Sequence, residues 1–229
     1  MKPRLLDLFC CAGAGARGYA AAGFEVVGMD IEPQPHYPYE FRQMDVLALS
    51  PWWIKFEHFA AVHASPPCQR YTELRHRYTV NEHPDLIGPV RDLLVAAGKP
   101  YIIENVEDAG PKLKDPTLLC GLMFPGLRVF RHRLFETSFA MEQPEHPSHR
   151  GIVCHTFDKR KRHYGTTDEW TDFVQVTGGG NCRKDAAADA MGLAGQGLTK
   201  QELNEGLPPA YTRWIGERLI AQLQAREAA

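Results

Sequence analysis

The chain has 229 residues, enough for one large domain with a small appendage, and 24% of them are charged while 44% are hydrophobic. This mixture is typical of a folded globular protein and excludes a disordered or fibrous chain. The formal net charge of -2 gives no overall attraction to nucleic acid, so any such contact requires a local basic patch.

The cysteines predict a reducing environment. They are Cys10, Cys11, Cys68, Cys120, Cys154 and Cys182. Only the first two are close neighbours, and the basic N-terminus does not have the form of a secretory signal, so free thiols are favoured over a disulfide framework. No run approaches the roughly 20 apolar residues that would span a bilayer. We therefore expect a cytoplasmic protein with no membrane contact.

The first predicted elements are a strand, a tight turn and a helix. Residues 5–9 form an apolar run, residues 10–18 are rich in glycine and alanine, and Gly23 ends the helix that follows. This order is the opening of a nucleotide-binding βαβ unit. The alternative is a turn whose small residues serve only to pack the helix closely on the strand.

A second predicted strand, residues 24–29, ends at Asp30. An acid at this position, about 20 residues after the turn, can accept hydrogen bonds from the ribose hydroxyls of an adenosine-type cofactor. Asp45 follows the next connection and is expected at the same edge of the sheet, with a plain turn cap as its alternative role.

Residues 59–62 predict a short buried strand that leads into residues 64–69, Ala-Ser-Pro-Pro-Cys-Gln. The two prolines end the strand and present Cys68 on a stiff loop. A lone intracellular cysteine is more often a buried small hydrophobe, so the interest of this one depends on its neighbours. Residues 70–83 are polar and lack a sustained period, which predicts either a solvated connection or a lid over the site.

A helix is predicted over residues 84–97, and residues 100–103 predict the next buried strand, which delivers Glu104 at its end. Ligands of open α/β sheets bind at the carboxyl ends of the strands. We therefore expect Cys68, Glu104, Asp30 and the small-residue turn to lie along one rim.

Residues 129–136 alternate apolar and basic side chains. The alternation predicts a strand with Arg131 and Arg133 on one face and Phe130 on the other. Two arginines on a strand face are most often solvated, but beside the predicted rim they can hold a carbonyl group.

From residue 143 the composition changes to proline, histidine, serine and charge, and residues 140–185 are predicted to form a small irregular insert. A basic run, residues 159–162, is either a solvated face or a grip on phosphates. Four of the histidines and cysteines in this region were considered as zinc ligands, but their spacing fits no tight zinc knuckle, so no metal site is predicted. They are His146, His149, Cys154 and Cys182.

The last predicted elements are a helix over residues 186–193, a capping box that starts at Thr199, and an amphipathic helix over residues 212–224. The chain is thus divided into a catalytic and cofactor-binding domain (1–139), the insert (140–185) and a C-terminal segment that returns to the catalytic domain (186–229).

A cysteine, a glutamate and paired arginines beside an adenosine-binding turn suit the alkylation of a pyrimidine ring carbon. Such a carbon is unreactive until the aromaticity of the ring is broken. Addition of a thiolate to C6 makes C5 nucleophilic, a carboxyl near N3 stabilises the developing charge by sharing a proton, and guanidinium donors hold the O2 carbonyl.

The chain resembles the C5-cytosine methyltransferase family in the order and separation of its motifs. These are residues 7–15 (Asp-Leu-Phe-Cys-Cys-Ala-Gly-Ala-Gly), 66–69 (Pro-Pro-Cys-Gln), 104–106 (Glu-Asn-Val), 131–133 (Arg-His-Arg) and 207–211 (Leu-Pro-Pro-Ala-Tyr) with Ile215 and Gly216. The resemblance covers about residues 4–136 and 188–220. It implies an α/β, Rossmann-like fold of S-adenosylmethionine-dependent methyltransferases, a mostly parallel sheet flanked by helices, with a small target-recognition insert.

The resemblance also implies roles for individual residues. Cys68 is the expected nucleophile, Glu104 is expected to bind and protonate the base, and Arg131 and Arg133 are expected to anchor a cytosine flipped out of the duplex. The residues expected to hold S-adenosylmethionine are Phe9, Gly13, Asp30 (ribose), Ile31, Asp45 (adenine amino group) and Pro67. The residues expected to contact nucleic acid are Gln69, Asn105, Lys159, Arg160, Lys161 and Arg162.

Three features depart from the family pattern. Cys11 and Ala14 stand where glycines are usual, which narrows the approach to the methionine part of the cofactor. Glu205 stands where an asparagine is usual, so that contact is not carried over. The insert is compact, so target specificity is relaxed or is supplied by a partner.

DNA is the expected substrate, and a monomer is the expected state. The same chemistry on RNA is the nearest alternative, because the Ser-Pro-Pro-Cys-Gln loop with Thr72 is similar to the tRNA-methylating branch. A non-catalytic cofactor-binding or nucleic-acid-binding accessory protein is a third interpretation. A nicotinamide-dependent oxidoreductase is the weakest, since the turn lacks a three-glycine fingerprint.

Overall fold

The computed structural model describes residues 2–71, 83–152, 154–155, 173–177 and 182–227. The strands are β1 (Arg4–Leu8), β2 (Glu25–Asp30), β3 (Glu40–Gln43), β4 (Ala61–Ala64), β5 (Tyr101–Asn105), β6 (Thr117–Leu119), β7 (Arg133–Thr137), β8 (Cys154–His155) and β9 (Phe173–Val174). The α-helices are α1 (Ala14–Ala22), α2 (Pro51–Phe56), α3 (Ile87–Ala97), α4 (Lys184–Ala190), α5 (Lys200–Glu205) and α6 (Pro209–Glu227). None of these helices is both long enough and apolar enough to cross a membrane.

Seven strands form one sheet in the order β3-β2-β1-β4-β5-β7-β6. The five strands from β1 to β5 run parallel, and β7 runs antiparallel to both of its neighbours. The mostly parallel sheet predicted from the sequence is confirmed. Its carboxyl ends bring the loops after β1, β2, β4 and β5 to one edge.

Helices cover both faces of the sheet. Consecutive residues of the central strands point to opposite faces, and both sets of side chains are apolar, so both faces must be buried. Leu6 belongs to a buried cluster with Ile54 of α2 and Leu94 of α3. Its neighbour Leu5 belongs to a second cluster, with Tyr19 of α1 and the buried side of α6. The central strands are therefore buried on both faces, and the sheet is a rigid support for the loops at its edge.

The C-terminal helix α6 lies against α1, beside the small-residue turn. It begins at Pro209, three residues before the predicted start, because proline is well suited to the first position of a helix. Thr212 Oγ1 donates a hydrogen bond to the carbonyl of Gly15, at 2.7 Å. This contact brings the end of the chain back to the turn that follows β1.

The strand predicted over residues 129–136 is shorter in the structure, since β7 begins only at Arg133. Arg131 has φ 36°, a left-handed conformation that interrupts an extended strand. The preceding residues pair instead with the turn after β6, where Gly121 N–H donates to the carbonyl of Phe130 at 2.8 Å. A Cβ at Gly121 would lie 1.7 Å from the carbonyl oxygen of Val129, so this pairing requires glycine.

The described part of the insert includes a small parallel pair, β8 with β9. Val174 at the end of β9 belongs to a third buried cluster, together with Val129, Ala187 of α4 and Leu203 of α5. The insert thus packs on the C-terminal helices. The division of the chain at residues 140 and 185 stays a prediction.

Candidate active site

The loop that carries Cys68 leaves β4 and is fastened from below by Asn105. The Asn105 side chain donates from Nδ2 to the carbonyl of Pro66 at 2.8 Å, and its Oδ1 accepts from Val106 N–H at 3.0 Å. Asn105 is only 1% exposed. From its sequence position Asn105 is predicted to contact nucleic acid, and in the structure its amide supports the loop.

Cys68 is partly buried at the carboxyl edge of the sheet. Burial raises the pKa of its thiol, and the nearby Glu104 raises it further, while Arg133 and Arg131 act in the opposite direction. The net shift is upward, which disfavours the thiolate in the free protein. Because Glu104 and both arginines affect the pKa of Cys68, all four side chains lie close enough to interact electrostatically.

Glu104 lies in β5 and is 6% exposed. Arg133 Nε lies 3.0 Å from Glu104 Oε1, and Ser65 also hydrogen-bonds the carboxyl. Burial raises the pKa of Glu104, and the contacts with Arg133, Ser65 and Arg131 only partly offset that effect. The carboxyl therefore keeps a proton at higher pH than an exposed glutamate does.

Behind Glu104 lies a buried hydrogen-bonded chain that the sequence analysis missed. Ser65 Oγ lies 2.8 Å from His63 Nε2, and His63 Nδ1 lies 2.9 Å from the hydroxyl of Tyr19. His63 is 2% exposed, and burial lowers its pKa to about 3, so the ring is neutral. The only sequence signal was a histidine in an apolar strand, which by itself indicates no partner.

The two arginines point to different partners rather than sharing a strand face. Arg131 donates to the carbonyl of Val176 at 2.8 Å and to that of Asn204 at 2.7 Å. Its buried Nε has no hydrogen-bond partner among the described residues. Burial and the neighbouring Arg133 lower the pKa of Arg131 to about 9. The predicted common face is wrong because Arg131 precedes β7, but both guanidinium groups still lie near Cys68.

The turn after β1 has an unusual backbone. Phe9, Cys11 and Gly13 have φ values of 56°, 45° and 70°, all in the left-handed region. Cys11 N–H donates to Asp30 Oδ2 at 3.0 Å, so the acid at the end of β2 also holds the turn. Glycine adopts this conformation without strain, so Cys11 stands at a position where glycine is favoured.

Tyr37 fills the space above this turn. A Cβ on Gly13 would lie 2.7 Å from its ring, and a Cβ on Gly28 would lie 2.3 Å from it. The hydroxyl of Tyr37 donates to Asp7 Oδ2 at 3.3 Å. Tyr37, which was not singled out from the sequence, would therefore have to move to admit a side chain at either glycine.

The ends of β2 and β3 expose apolar side chains beside the two predicted cofactor acids. Ile31, Met44 and Leu47 are 58%, 42% and 51% exposed. Asp45 Oδ1 accepts from Leu47 N–H at 2.9 Å, so Asp45 does cap a short turn, as its alternative role predicts. A carboxylate has lone pairs left after one or two backbone contacts, and an exposed apolar surface between two acids suits an adenosine group. The residues present fit that cofactor.

The remaining predicted residues are less informative. Gln69 Oε1 is buried without a hydrogen-bond partner among the described residues. Pro67 is partly buried in the loop that carries Cys68. Thr72 and the predicted phosphate grip, Lys159, Arg160, Lys161 and Arg162, lie outside the described residues.

No family profile matches the sequence, and no curated protein matches it. Among solved structures, the chain is similar to the S. pombe Dnmt2 methyltransferase, with a TM-score of 0.60 and 12% identity over 97% of this chain and 99% of that chain. It is also similar to the Entamoeba histolytica methyltransferase EhMeth, with a TM-score of 0.58 and 15% identity over the same shares of the two chains. An alignment to a DNA modification methyltransferase from an E. coli prophage, 21% identical, covers 58% of this chain and 45% of that chain, with a TM-score of 0.45.

The likenesses to the S. pombe and Entamoeba histolytica methyltransferases show the fold. The chain has the Rossmann-like fold of S-adenosylmethionine-dependent methyltransferases, which confirms the fold class predicted from the sequence.

Proposed function

We propose that this chain is an S-adenosylmethionine-dependent enzyme that methylates C5 of cytosine in DNA through a covalent adduct of Cys68. The observation that carries the proposal is the convergence of Cys68, Glu104 and Arg133 at the edge of a sheet with a methyltransferase fold. Arg133 binds Glu104 at 3.0 Å, and both groups act on the pKa of Cys68. If the ion pair between Arg133 and Glu104 were purely structural, it would not require a partly buried thiol beside it.

In this proposal the Cys68 thiol gives its proton to solvent, and Sγ then adds as a thiolate to C6 of the base and forms a carbon–sulfur bond. Glu104 shares its proton with N3, so the electron pair displaced from the C5–C6 bond does not build a full negative charge on the ring. The raised pKa of Glu104 suits this role because the carboxyl holds a transferable proton nearer neutral pH. Loss of the C5 proton to solvent and departure of Sγ then restore the aromatic ring and the free cysteine.

S-adenosylmethionine would supply the methyl group: C5 would gain the electrophilic methyl carbon as the sulfur–methyl bond of the cofactor breaks, and the electron pair of that bond would stay on the sulfur of the departing thioether. The residues proposed to hold it are Phe9, Gly13, Asp30, Ile31, Asp45 and Pro67. Ile31 contributes exposed apolar surface at the end of β2, and Asp30 contributes the carboxylate next to it. Their part is to bind and orient the cofactor rather than to react.

The base must leave the duplex to reach Cys68, since C5 and C6 are inaccessible within a stacked helix. Arg133 is proposed to hold the flipped base beside Glu104, and its contact with that carboxyl at 3.0 Å supports this role. Arg131 joins the insert and α5 to the same edge through the carbonyls of Val176 and Asn204. We propose that the short insert gives relaxed sequence specificity, or that a partner protein supplies specificity to a monomer of this chain.

A mechanism-based trap tests the proposal. An oligonucleotide with 5-fluorocytosine should form a covalent complex in the presence of S-adenosylmethionine, because fluorine at C5 blocks the final elimination. The Cys68→Ala variant should form no complex while it still binds the cofactor in calorimetry. A matched variant, Cys154→Ser, should react like the wild type because Cys154 lies on β8.

Matched DNA and RNA oligonucleotides distinguish the two substrate classes. An adduct with DNA supports the proposal, and an adduct with RNA alone replaces the substrate while it preserves the chemistry. If neither oligonucleotide is trapped by protein that binds S-adenosylmethionine, the catalytic proposal is refuted.

A further inference from the structure

Four side chains away from Cys68 converge on one small volume. They are Cys120, His132, His146 and His149, called the Cys-His cluster below. One ligand atom from each, a sulfur and three ring nitrogens, lies within 4.8 Å of all the others. Cys120 is fully buried, His132 and His149 are partly buried, and His146 is exposed.

Different parts of the fold supply these residues. Cys120 follows β6, His132 directly precedes β7, and His146 and His149 lie in the segment that leads into the insert. The separations of 12, 14 and 3 positions give no zinc-knuckle pattern in the sequence. From the sequence, only His146 and His149 of this cluster were considered as zinc ligands. Cys154 and Cys182, which were considered with them, do not belong to the cluster.

The contact distances agree with a shared metal ion. Cys120 Sγ lies 3.3 Å from His149 Nε2, and His132 Nε2 lies 3.2 Å from His146 Nε2. Zinc bonds of about 2.3 Å to sulfur and about 2.0 Å to nitrogen place tetrahedral ligand atoms roughly 3.3 to 3.6 Å apart. Both close pairs are near the length of an edge of that tetrahedron.

The surroundings hold the imidazole rings in orientations that suit ligation. His132 Nδ1 lies 3.0 Å from Glu107 Oε2, which leaves its Nε2 toward the cluster. A carboxylate on the far nitrogen is the usual companion of a metal-bound histidine. His149 stacks on Phe130, with ring centroids 4.1 Å apart and planes at 11°.

We propose that the Cys-His cluster binds one Zn²⁺ ion. Four protein ligands fill the tetrahedral coordination of zinc, so the site is closed and structural rather than catalytic. Thiolate and imidazole ligands select zinc over magnesium or calcium, which prefer oxygen. Binding converts the Cys120 thiol to a thiolate and releases its proton to solvent.

The position of the site gives the metal a specific effect on the protein. His132 lies between Arg131 and Arg133, so a bound ion fixes the backbone from which both guanidinium groups extend. Its companion Glu107 follows Glu104 by three positions. The ion also fastens the beginning of the insert, at His146 and His149, to the main sheet.

Metal content tests the proposal directly. Purified full-length protein is dialysed against Zn²⁺, washed with a weak chelator and analysed by plasma mass spectrometry. We expect one equivalent of zinc per chain, and a higher melting temperature with zinc than after removal by a strong chelator. Protein that is folded by circular dichroism but retains no stoichiometric zinc would overturn the proposal.

Variants assign the ligands. The substitution His146→Ala removes an exposed ligand and leaves the core intact, so loss of zinc from this variant cannot be attributed to unfolding. Cys120→Ser should lose zinc too, whereas Cys154→Ser and the exposed-histidine control His36→Ala should keep it. Glu107→Gln should weaken affinity roughly 10- to 100-fold, as substitutions behind a metal ligand do.

Cobalt provides a spectroscopic check. Co²⁺ in the same site should show intense visible bands of tetrahedral geometry and an ultraviolet thiolate-to-cobalt band. The thiolate band should be absent from Cys120→Ser and present in Cys154→Ser. Zinc that stays bound in both His146→Ala and Cys120→Ser, or a cobalt complex without the thiolate band, would contradict the assignment.

Discussion

The side chain of Asn105 connects the end of β5 to the loop that presents the proposed nucleophile. Its hydrogen bond to Pro66 fixes the backbone two residues before Cys68. Because the amide is buried, its bond to Pro66 does not compete with solvent. We therefore expect the position of Cys68 to depend on this buried hydrogen bond.

We predict that Asn105→Ala slows formation of the fluorocytosine adduct roughly 10- to 100-fold, since a small displacement of a reacting group has effects of that size. The unpaired carbonyl of Pro66 should also reduce the free energy of unfolding by about 1 to 3 kcal/mol. Adduct formation is followed by gel shift under single-turnover conditions, and cofactor affinity, which should not change, by calorimetry.

Gln143→Ala is the matched control for this variant. Gln143 fastens a backbone segment in the same manner, with bonds to the carbonyl and N–H of Leu118 at 2.9 and 2.8 Å, but on β6. Its removal should affect stability and not the rate of trapping. Equal rates for Asn105→Ala and the wild type would show that the loop is held without this bond.

At this scale, the residues that the sequence revealed were those with a recognisable pattern around them. Cys68 and Glu104 were predicted because each follows an apolar strand, and the structure brings them together. His63, Ser65 and Tyr19 were missed because their hydrogen bonds join α1, β4 and the loop after β4, and no sequence spacing encodes such a set.

The packing of α1 on α6 depends on Gly18. A Cβ at this position would lie 2.0 Å from Thr212 Oγ1 and 2.1 Å from the carbonyl of Pro209. Both are held where they are, since Pro209 starts α6 and Thr212 is bonded to Gly15. The two helices would have to separate to admit even one methyl group.

We predict that Gly18→Ala lowers the free energy of unfolding by about 1 to 3 kcal/mol, the usual cost of overpacking. Gly88→Ala is the control, because a Cβ on this glycine of α3 would meet nothing within 4 Å. Alanine favours a helix over glycine, so the control should be neutral or stabilising by up to about 1 kcal/mol. Urea denaturation measures both, and a stable Gly18→Ala protein would mean that the helices are not in this contact.

Most elements could be predicted because each carries its own period of apolar residues and its own end signals. Gly98, for example, ends α3 in the left-handed conformation that its sequence position indicates. The strand predicted through Phe130 is an exception. Its side chains do alternate between apolar and basic, but the backbone of Phe130 hydrogen-bonds to the turn at Gly121 instead of continuing the strand. Tertiary pairing overrode the local pattern there.

Considered as a whole, the molecule buries an acid at its centre at a cost that depends on pH. Asp7 of β1 is 4% exposed, and burial, with Asp30 nearby, raises its pKa from 3.8 to about 7 despite the hydrogen bond from Tyr37. Below about pH 4 the carboxyl is protonated in both folded and unfolded chains. As the pH rises to 7, the Asp7 carboxyl ionises in the unfolded chain but stays largely protonated in the folded one. The contribution of Asp7 to the stability of the folded protein therefore falls.

We predict that Asp7→Asn is stabilised relative to the wild type by an amount that grows between about pH 4 and pH 7 and levels off above pH 7. The difference in pKa corresponds to about 4 kcal/mol, an upper limit because a buried charge is relieved by relaxation. Melting temperatures measured across this range test it, with the exposed Asp92→Asn as a control that should show no such trend. A difference between Asp7→Asn and the wild type that does not vary with pH would show that Asp7 ionises freely.

The bond between Thr212 and Gly15 joins residues 197 positions apart, which has a consequence for how the protein is made. During translation the first turn emerges from the ribosome long before its supporting helix exists. Contacts of such separation form late, since a long loop of chain must close before they stabilise anything. A nascent or prematurely terminated chain should therefore lack a finished turn after β1, so that only a chain that has been synthesised through α6 would acquire the proposed activity.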